Sequence, residues 1–151
     1  MTEIRRVRPD DPPVKALIDA LDAFQIGLYG RAYCHLASID ELSAEHVEML
    51  GAWDGEQLLG IGAVMHLPGY AEIKRMITTP EARGRGVGSA ILAALEELAA
   101  ARGTTIVRLE TGAEHHAAQA MYRKAGYAIR GPYGAYSANH VSVFMEKTLA
   151  L

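Results

Sequence analysis

The sequence predicts an α/β (α+β) fold with a central mixed sheet and helices on its faces. The apolar pattern along the 151 residues follows the order strand, helix, several strands, helix, strand, helix, two strands. Within residues 72–88, a strand also passes through a glycine-rich, basic loop directly into the start of a long amphipathic helix. Since length and a 50% hydrophobic content suit one core, we expect residues 1–151 to form a single domain.

The first half of the chain begins with a short strand and a helix. Ile4 and Val7 indicate the strand, and the proline-rich break after it supplies a helix start. Apolar residues then recur at helical spacing, at Val14, Leu17, Ile18, Leu21 and Phe24. Between residues 27 and 42 the periodicity fades, which predicts a loop or a broken second helix at the rim of a binding site.

Three consecutive antiparallel strands follow. Two apolar runs, 46–53 and 58–66, flank an Asp-Gly dipeptide that is typical of a tight hairpin. A Pro-Gly turn comes next, so residues 70–79 predict the third strand of this group.

The second half of the chain begins with a long helix. Its apolar face runs from Val87 to Ala99, and Arg102-Gly103 predicts its end. The remaining predicted elements are a strand at 105–111, a short helix at 117–125, and strands at 127–130 and 139–149.

The loop between the third strand of that group and the long helix predicts an anion site. Gly84, Gly86 and Gly88 remove side chains that would keep backbone N–H groups from a ligand. The helix that begins there directs unpaired donors and its positive dipole end to the same place. A pyrophosphate is the expected ligand of this loop.

This loop resembles the acetyl-coenzyme A loop of the GNAT N-acetyltransferase superfamily. The family pattern is Gln or Arg, two residues, Gly, one residue, then Gly or Ala, and residues 83–88 match it with Pro80-Glu81 upstream. A second family segment resembles residues 110–127, where the matching residues are Ala118, Tyr122, Gly126 and Tyr127. The chain departs at His115, where many members carry an Asn that contacts the pantetheine arm or a water.

The resemblance covers nearly the whole chain and implies a small, bacterial-type GNAT domain. Its sheet would be mostly antiparallel, with about seven strands flanked by about four helices. The strand before the glycine loop and the strand after the long helix would splay apart and hold the pantetheine arm. The implied acetyl-coenzyme A contacts are Met76, Ile77, Thr78, Arg83, Gly84, Arg85, Gly86, Val87, Gly88, Ser89, Thr111 and His115. A backbone N–H near Met76 would act as the oxyanion donor.

The implied function is acetyl transfer from acetyl-coenzyme A to the amine of a small molecule, by direct attack in a ternary complex. Two alternatives stay open at this point. One is a protein or peptide N-acetyltransferase, and the other is a non-catalytic acyl-coenzyme A-binding module. The resemblance also makes a homodimer possible for this chain, since the last strands often mediate dimers in members of the family.

Glu72 is the candidate general base for an amine that is mostly protonated at neutral pH. It lies eleven positions before Arg83, where some family members carry a catalytic Glu. Regular alternation would place Glu72 on one strand face with Lys74, Met76 and Thr78. The alternative is a polar residue at a strand entrance, with a water relay as the base.

Tyr122 is the candidate that protonates or hydrogen-bonds the departing sulfur, as the family's tyrosine does. The alternative is an aromatic packing residue on the helix stripe.

Candidate acceptor contacts are basic or lie in a tyrosine-rich loop. Alternation predicts that Lys74 and Arg75 point to opposite faces, so one of them would face the acceptor and favour a carboxylate or another anion. The alternative is a solvated or ion-paired charge. Tyr133 and His140, with Tyr136 between them, lie in the loop before the last strand and are candidate specificity residues.

Composition excludes several other function classes. A net charge of −3 and a pI near 6.1 do not indicate nucleic-acid or membrane binding. The only cysteine, Cys34, excludes an intrachain disulfide and is more typical of a packed side chain than of a nucleophile. With no apolar segment long enough for a leader or a span, we expect a cytoplasmic protein. Histidine spacing predicts no metal site, and dinucleotide and P-loop motifs are incomplete.

Overall fold

The computed structural model describes residues 2–30 and 38–150. The strands in these residues are β1 Thr2–Arg6, β2 Val47–Asp54, β3 Gln57–Leu67, β4 Tyr70–Thr78, β5 Ile106–Gly112, β6 Ala128–Arg130 and β7 Ser142–Thr148. The helices are α1 Pro12–Tyr29, α2 Ile39–Leu42, α3 Val87–Ala101 and α4 His116–Lys124, with a 3₁₀ turn at Pro80–Ala82. The expected seven strands and four helices are therefore confirmed.

The strands form one sheet in the order β1-β2-β3-β4-β5-β7-β6. Every neighbouring pair is antiparallel except β4 and β5, which are parallel. A parallel pair needs a crossover connection, and the 3₁₀ turn with α3 provides it. The expectation of a mixed, mostly antiparallel sheet is confirmed.

Two apolar cores cover the two faces of the sheet. On one face α3 buries Ile91, Leu92 and Leu95 completely or nearly so against the strands. On the other face α1 and α2 bury Val14 and Leu42. Because the helical apolar stripes match these buried positions, the amphipathic pattern of the sequence accounts for both layers. None of the helices in the described ranges has the length and apolar character required to cross a bilayer.

The first helix is longer than its apolar stripe indicates. Periodicity ends near Phe24, yet α1 continues to Tyr29 and stops at Gly30, whose φ of 81° leaves the helical region. Part of the segment expected to rim the binding site, including Cys34, lies outside the described residues.

Strands β4 and β5 pair over only part of their length. Their register runs from Ala71–Val107 to Ile73–Leu109 and ends there, although β4 continues to Thr78. The two strands therefore separate towards their carboxyl ends, as the resemblance implied, and the gap opens beside the start of α3.

A β-bulge in β4 overturns one prediction about side-chain direction. Arg75 has a φ of 57°, and the β3–β4 register shifts at this point. Alternation is therefore broken, so Glu72 and Lys74 lie on the α1 face, whereas Met76 packs into the α3 core. The prediction that Glu72, Lys74, Met76 and Thr78 share a face was wrong, because the extra residue reverses the alternation after Lys74.

Candidate functional site

The glycine loop presents a row of unpaired backbone donors. Gly84 and Gly86 have φ values of 77° and 70°, a region that glycine enters without steric cost. Within the described residues, no acceptor is bonded by the backbone N–H groups of Gly84, Gly86, Val87, Gly88 and Ser89. Because α3 begins at Val87, these donors lie at its positive dipole end.

A groove of about 530 Å³ runs past this loop, and we call it the glycine-loop groove. Ten of the expected acetyl-coenzyme A contacts line it, namely Met76, Ile77, Thr78, Arg83, Gly84, Gly86, Val87, Gly88, Ser89 and His115. Gly88 is required by close packing, because an added Cβ would lie 2.8 Å from the sulfur of Met121. The far wall of the groove is formed by α4 from its start to Tyr122, together with the two residues before it.

Two expected contacts lie elsewhere. The Arg85 guanidinium forms an ion pair of 3.1 Å with Asp54 in the β2–β3 hairpin, and this hydrogen bond lowers the pKa of Asp54. Arg85 does not line the groove. Thr111 is buried on β5 and lines a second, inner cavity instead.

The inner cavity has a volume of about 100 Å³ and lies between α1, β4, β5 and the loop before β7. Its walls include the second half of α1 and the middle of β4. The inner cavity and the glycine-loop groove share four wall residues, Met76, His115, Ala118 and Tyr122. The two spaces therefore meet at the gap between β4 and β5.

Glu72 lies in the inner cavity with its carboxylate held in place. Its exposed fraction is 4%, and its Oε2 accepts hydrogen bonds from the hydroxyls of Tyr136 at 2.6 Å and Tyr133 at 3.1 Å. The Lys74 ammonium lies 3.3 Å from the same oxygen. Among the described residues Oε1 accepts no hydrogen bond, so this oxygen can serve a ligand in the cavity.

Lys74 and Arg75 both line the inner cavity, which corrects the prediction that they face opposite sides. The bulge turns Arg75 towards α1, where its guanidinium binds the Asp22 carboxylate. The Lys74 ammonium donates to the Tyr136 hydroxyl at 3.1 Å in addition to its contact with Glu72. Both cations are therefore already paired with carboxylates of the chain.

Tyr122 lies on α4 where the two spaces meet. Its side chain is 5% exposed, and its ring packs edge-on against Tyr127 at 5.9 Å. Burial, aided by the negative charge of Glu110, raises the pKa of Tyr122 well above its usual range. The phenol therefore stays protonated and can act as a hydrogen-bond donor.

His115 forms the N-cap of α4, in the wall shared by both spaces. Its ring stacks on Phe24 at 5.8 Å and meets Tyr29 edge-on at 5.5 Å. Burial lowers its pKa, so the imidazole is neutral at pH 7. Its buried Nε2 has no hydrogen-bond partner in the described part of the chain, which leaves it available to a ligand.

Of the three loop residues predicted as specificity contacts, Tyr136 lines the inner cavity, whereas Tyr133 and His140 do not. Tyr133 is buried behind it and acts through its hydrogen bond to Glu72. His140 is exposed and lines neither the cavity nor the groove. In residues 2–30 and 38–150, no group of three His, Cys, Asp or Glu side chains is placed to hold a metal ion.

Sequence reasoning expected residues 27–42, which include Tyr29, to rim a binding site, but it missed the contribution of Leu21 and Gln25 on α1. Leu21, Gln25 and Tyr29 line the inner cavity, and the Tyr29 hydroxyl accepts a hydrogen bond of 2.9 Å from the Glu114 N–H. The available signal was their spacing, since residues four apart lie on one helical face.

Comparison with known proteins agrees with this geometry. The model of the acetyltransferase (GNAT) family matches residues 14–127. The IAA acetyltransferase of Azospirillum brasilense is 37% identical over 148 residues, which are 97% of this chain and 97% of that protein. The Bacillus subtilis protein YsnE, an uncharacterized N-acetyltransferase, is 32% identical over 118 residues, 76% of this chain and 78% of that protein.

Solved structures show the same fold. A Klebsiella pneumoniae structure, provisionally described as an acyl-CoA N-acyltransferase, aligns with a TM-score of 0.84 at 35% identity and covers 99% of both chains. The PaiA N-acetyltransferase of Thermoplasma acidophilum, in complex with coenzyme A, aligns with a TM-score of 0.75 over 98% of this chain and 99% of that one. At 21% identity this second likeness concerns the fold alone. The chain belongs to the GNAT family and is an N-acetyltransferase that uses acetyl-coenzyme A as its co-substrate.

Proposed function

We propose that this N-acetyltransferase moves the acetyl group to the amine of a small molecule, by direct attack in a ternary complex. The observation that carries the proposal is the wall shared by the inner cavity and the glycine-loop groove. A thioester that enters from the groove and an amine in the cavity would meet at the gap between β4 and β5. Holding both reactants in contact supplies much of the rate enhancement.

The groove suits the diphosphate of coenzyme A. Five N–H groups at the start of α3, which have no acceptor among the described residues, are the donors that a pyrophosphate needs, and Arg83 adds a positive charge at the rim. The pantetheine arm would lie in the gap between β4 and β5, with Thr111 and His115 beside it. Arg85 is a weaker candidate, because Asp54 already holds its guanidinium.

Glu72 is proposed to receive a proton from the acceptor amine through Oε1, directly or through one water. An alkylammonium must lose that proton before it can attack a thioester carbonyl. The contacts of Oε2 with two tyrosine hydroxyls fix the carboxylate. A backbone N–H near Met76 would stabilise the oxyanion that forms during attack.

Tyr122 is proposed to donate to the sulfur as the C–S bond breaks. Its burial keeps the phenol protonated, which a donor requires. Its place in the wall shared by both spaces supports this role.

The acceptor is proposed to be a small amine. The inner cavity of about 100 Å³ would admit an amino group and a few more atoms, and the Azospirillum relative is named for a small molecule. A carboxylate on the acceptor finds less support, because Glu72 and Asp22 already pair with Lys74 and Arg75. A peptide acceptor would need a wider opening, and it is the second candidate.

Three further expectations remain proposals: a single domain over residues 1–151, a cytoplasmic location and a homodimer. For the dimer, the edge strand β6 offers Ile129, which is 60% exposed. Light scattering on the purified chain would report the oligomeric state.

A panel of amines tests the proposed function. Thiol release from acetyl-coenzyme A would be followed with tyramine, spermidine, lysine and a short peptide with a free amino terminus. We expect at least one small amine to accelerate release and to be recovered acetylated. Acceleration of thiol release by the peptide alone would favour the peptide acceptor. If no amine accelerates thiol release, transfer to amines of these classes is rejected.

A further inference from the structure

Lys74 is itself an alkylamine inside the inner cavity. Its side chain is 15% exposed, and its Nζ lies 3.3 Å from Glu72 Oε2, the carboxylate proposed as the base. The Tyr136 hydroxyl is 3.1 Å away on the other side. The chain therefore holds an amine at the place where an acceptor amine is proposed to bind.

The other lysines of the sequence differ from Lys74 in this respect. Lys15 is 52% exposed on α1, and Lys124 is exposed at the end of α4. Lys147 is 25% exposed and donates to Glu96 at 2.9 Å. None of the three lines the inner cavity. Untargeted acetylation in solution would favour the exposed Lys15 and Lys124, whereas acetylation at the site would favour Lys74.

We propose that Lys74 is an internal acceptor, which the enzyme acetylates from its own bound acetyl-coenzyme A when the cavity holds no amine substrate. This inference rests on the proposed function of the inner cavity. Confinement favours the reaction, because an amine fixed beside the thioester acts at a high effective concentration.

The reaction balances as an ordinary aminolysis. The Lys74 ammonium gives one proton to Glu72, and the Nζ lone pair then forms a bond to the thioester carbonyl carbon. The C–S bond breaks with its electron pair on sulfur, and the second proton lost from nitrogen protonates the thiolate, with Tyr122 as the proposed donor. The products are Nε-acetyl-Lys74, free coenzyme A and a proton that Glu72 passes to solvent.

The modified side chain would close the site. Acetylation removes the positive charge beside Glu72 and adds an acetyl group to a cavity of about 100 Å³. A saturating amine substrate should protect Lys74, because both occupy the same space. An amide is a stable product, so the acetyl group would not pass on to a later acceptor.

Mass spectrometry of the full chain incubated with acetyl-coenzyme A tests the proposal. We expect peptide mapping to show at least about tenfold more acetyl on Lys74 than on Lys15 or Lys124. Lys74→Arg keeps the charge and should abolish this modification, Glu72→Gln should slow it about tenfold or more, and Lys15→Arg is the matched control that should change nothing at Lys74. A heat-unfolded sample gives the untargeted rate.

Equal acetylation of Lys74 and Lys15, or equal rates at Lys74 in the folded and unfolded chains, would overturn the proposal. If the amine panel reacts while Lys74 stays unmodified, this inference fails and the proposed function stands. If the panel shows no amine-dependent thiol release and Lys74 is also unmodified, both fail together.

Discussion

Tyr122 shows how burial prepares one side chain for the chemical role proposed for it. Its ring is held by packing against Tyr127, and the same burial raises the pKa of Tyr122 and keeps its proton in place. Tyr127 is equally buried, but its hydroxyl donates to Glu96 at 2.8 Å, away from the groove. Of these two neighbouring tyrosines, Tyr122 therefore faces the cavity and the groove, whereas the Tyr127 hydroxyl is bound to Glu96.

Tyr122→Phe should lower kcat by about 100-fold, because proton donation to a leaving group contributes a factor of that order. The acetyl-coenzyme A Kd should change by less than about twofold, since the ring remains. Thiol-release kinetics and calorimetry measure the two quantities. Tyr127→Phe is the control and should reduce stability by about 1 kcal/mol with little effect on kcat. An unchanged kcat in Tyr122→Phe would remove this hydroxyl from the mechanism.

At the residue scale, the sequence identified most groups of the site but not their directions. Glu72 and Tyr122 were recognisable from their positions in the family motifs and Lys74 from its place on the strand, and all three line the inner cavity. The difference between Tyr136 at the cavity and Tyr133 behind it depends on the path of an irregular loop. No periodic pattern exists in such a segment, so the sequence could not distinguish them.

Among the elements, β4 decides the shape of the site. Its bulge at Arg75 reverses the alternation and turns the Arg75 side chain towards α1, on the face where Lys74 already lies. The position of the bulge depends on the pairing with β3. Because the bulged residue is an arginine and not a glycine, no local pattern in the sequence marks it. The glycine loop and α3, in contrast, were predictable because helix starts and glycine positions follow local rules.

Gly62 on β3 tests the packing around this bulge. An added Cβ would meet the Met76 sulfur and lie 2.8 Å from Ile91 Cγ2 and 3.0 Å from Leu95 Cδ1. Gly62→Ala should therefore reduce the free energy of unfolding by about 1–3 kcal/mol through overpacking. Urea denaturation measures this change.

The matched control is Gly27→Ala in α1, where nothing lies within 4 Å of the added Cβ. This substitution should raise the free energy of unfolding by about 0.5–1 kcal/mol, because alanine favours a helix over glycine. Equal effects of the two substitutions would contradict the packing account of α3 against β3.

For the whole molecule, buried histidines predict a pH dependence of stability. Burial lowers the pKa of His115 and of His66 below the ordinary value. As the pH falls below about 6.5, the histidines of the unfolded chain bind protons that those of the folded chain do not. The free energy of unfolding therefore decreases as the pH falls from the unfolded pKa to the lower folded pKa. Above about pH 6.5 the contribution of these histidines to stability is fully present.

Urea midpoints at pH 7.5 and 5.5 measure this effect. We expect a lower midpoint at pH 5.5, and a smaller difference in His115→Asn than in the wild type. His116→Asn is the control, because that side chain is 77% exposed and should leave the difference unchanged. A pH difference of the same size in His115→Asn and the wild type would exclude His115 as its source.

The proposed reaction requires above all that thioester and amine occupy a single cleft at the same time. Initial rates with both substrates varied, using the fastest amine of the panel, test it directly. A ternary complex predicts double-reciprocal lines that intersect. Parallel lines would instead report an acetylated enzyme that forms and releases coenzyme A before the amine binds, and they would contradict the claim.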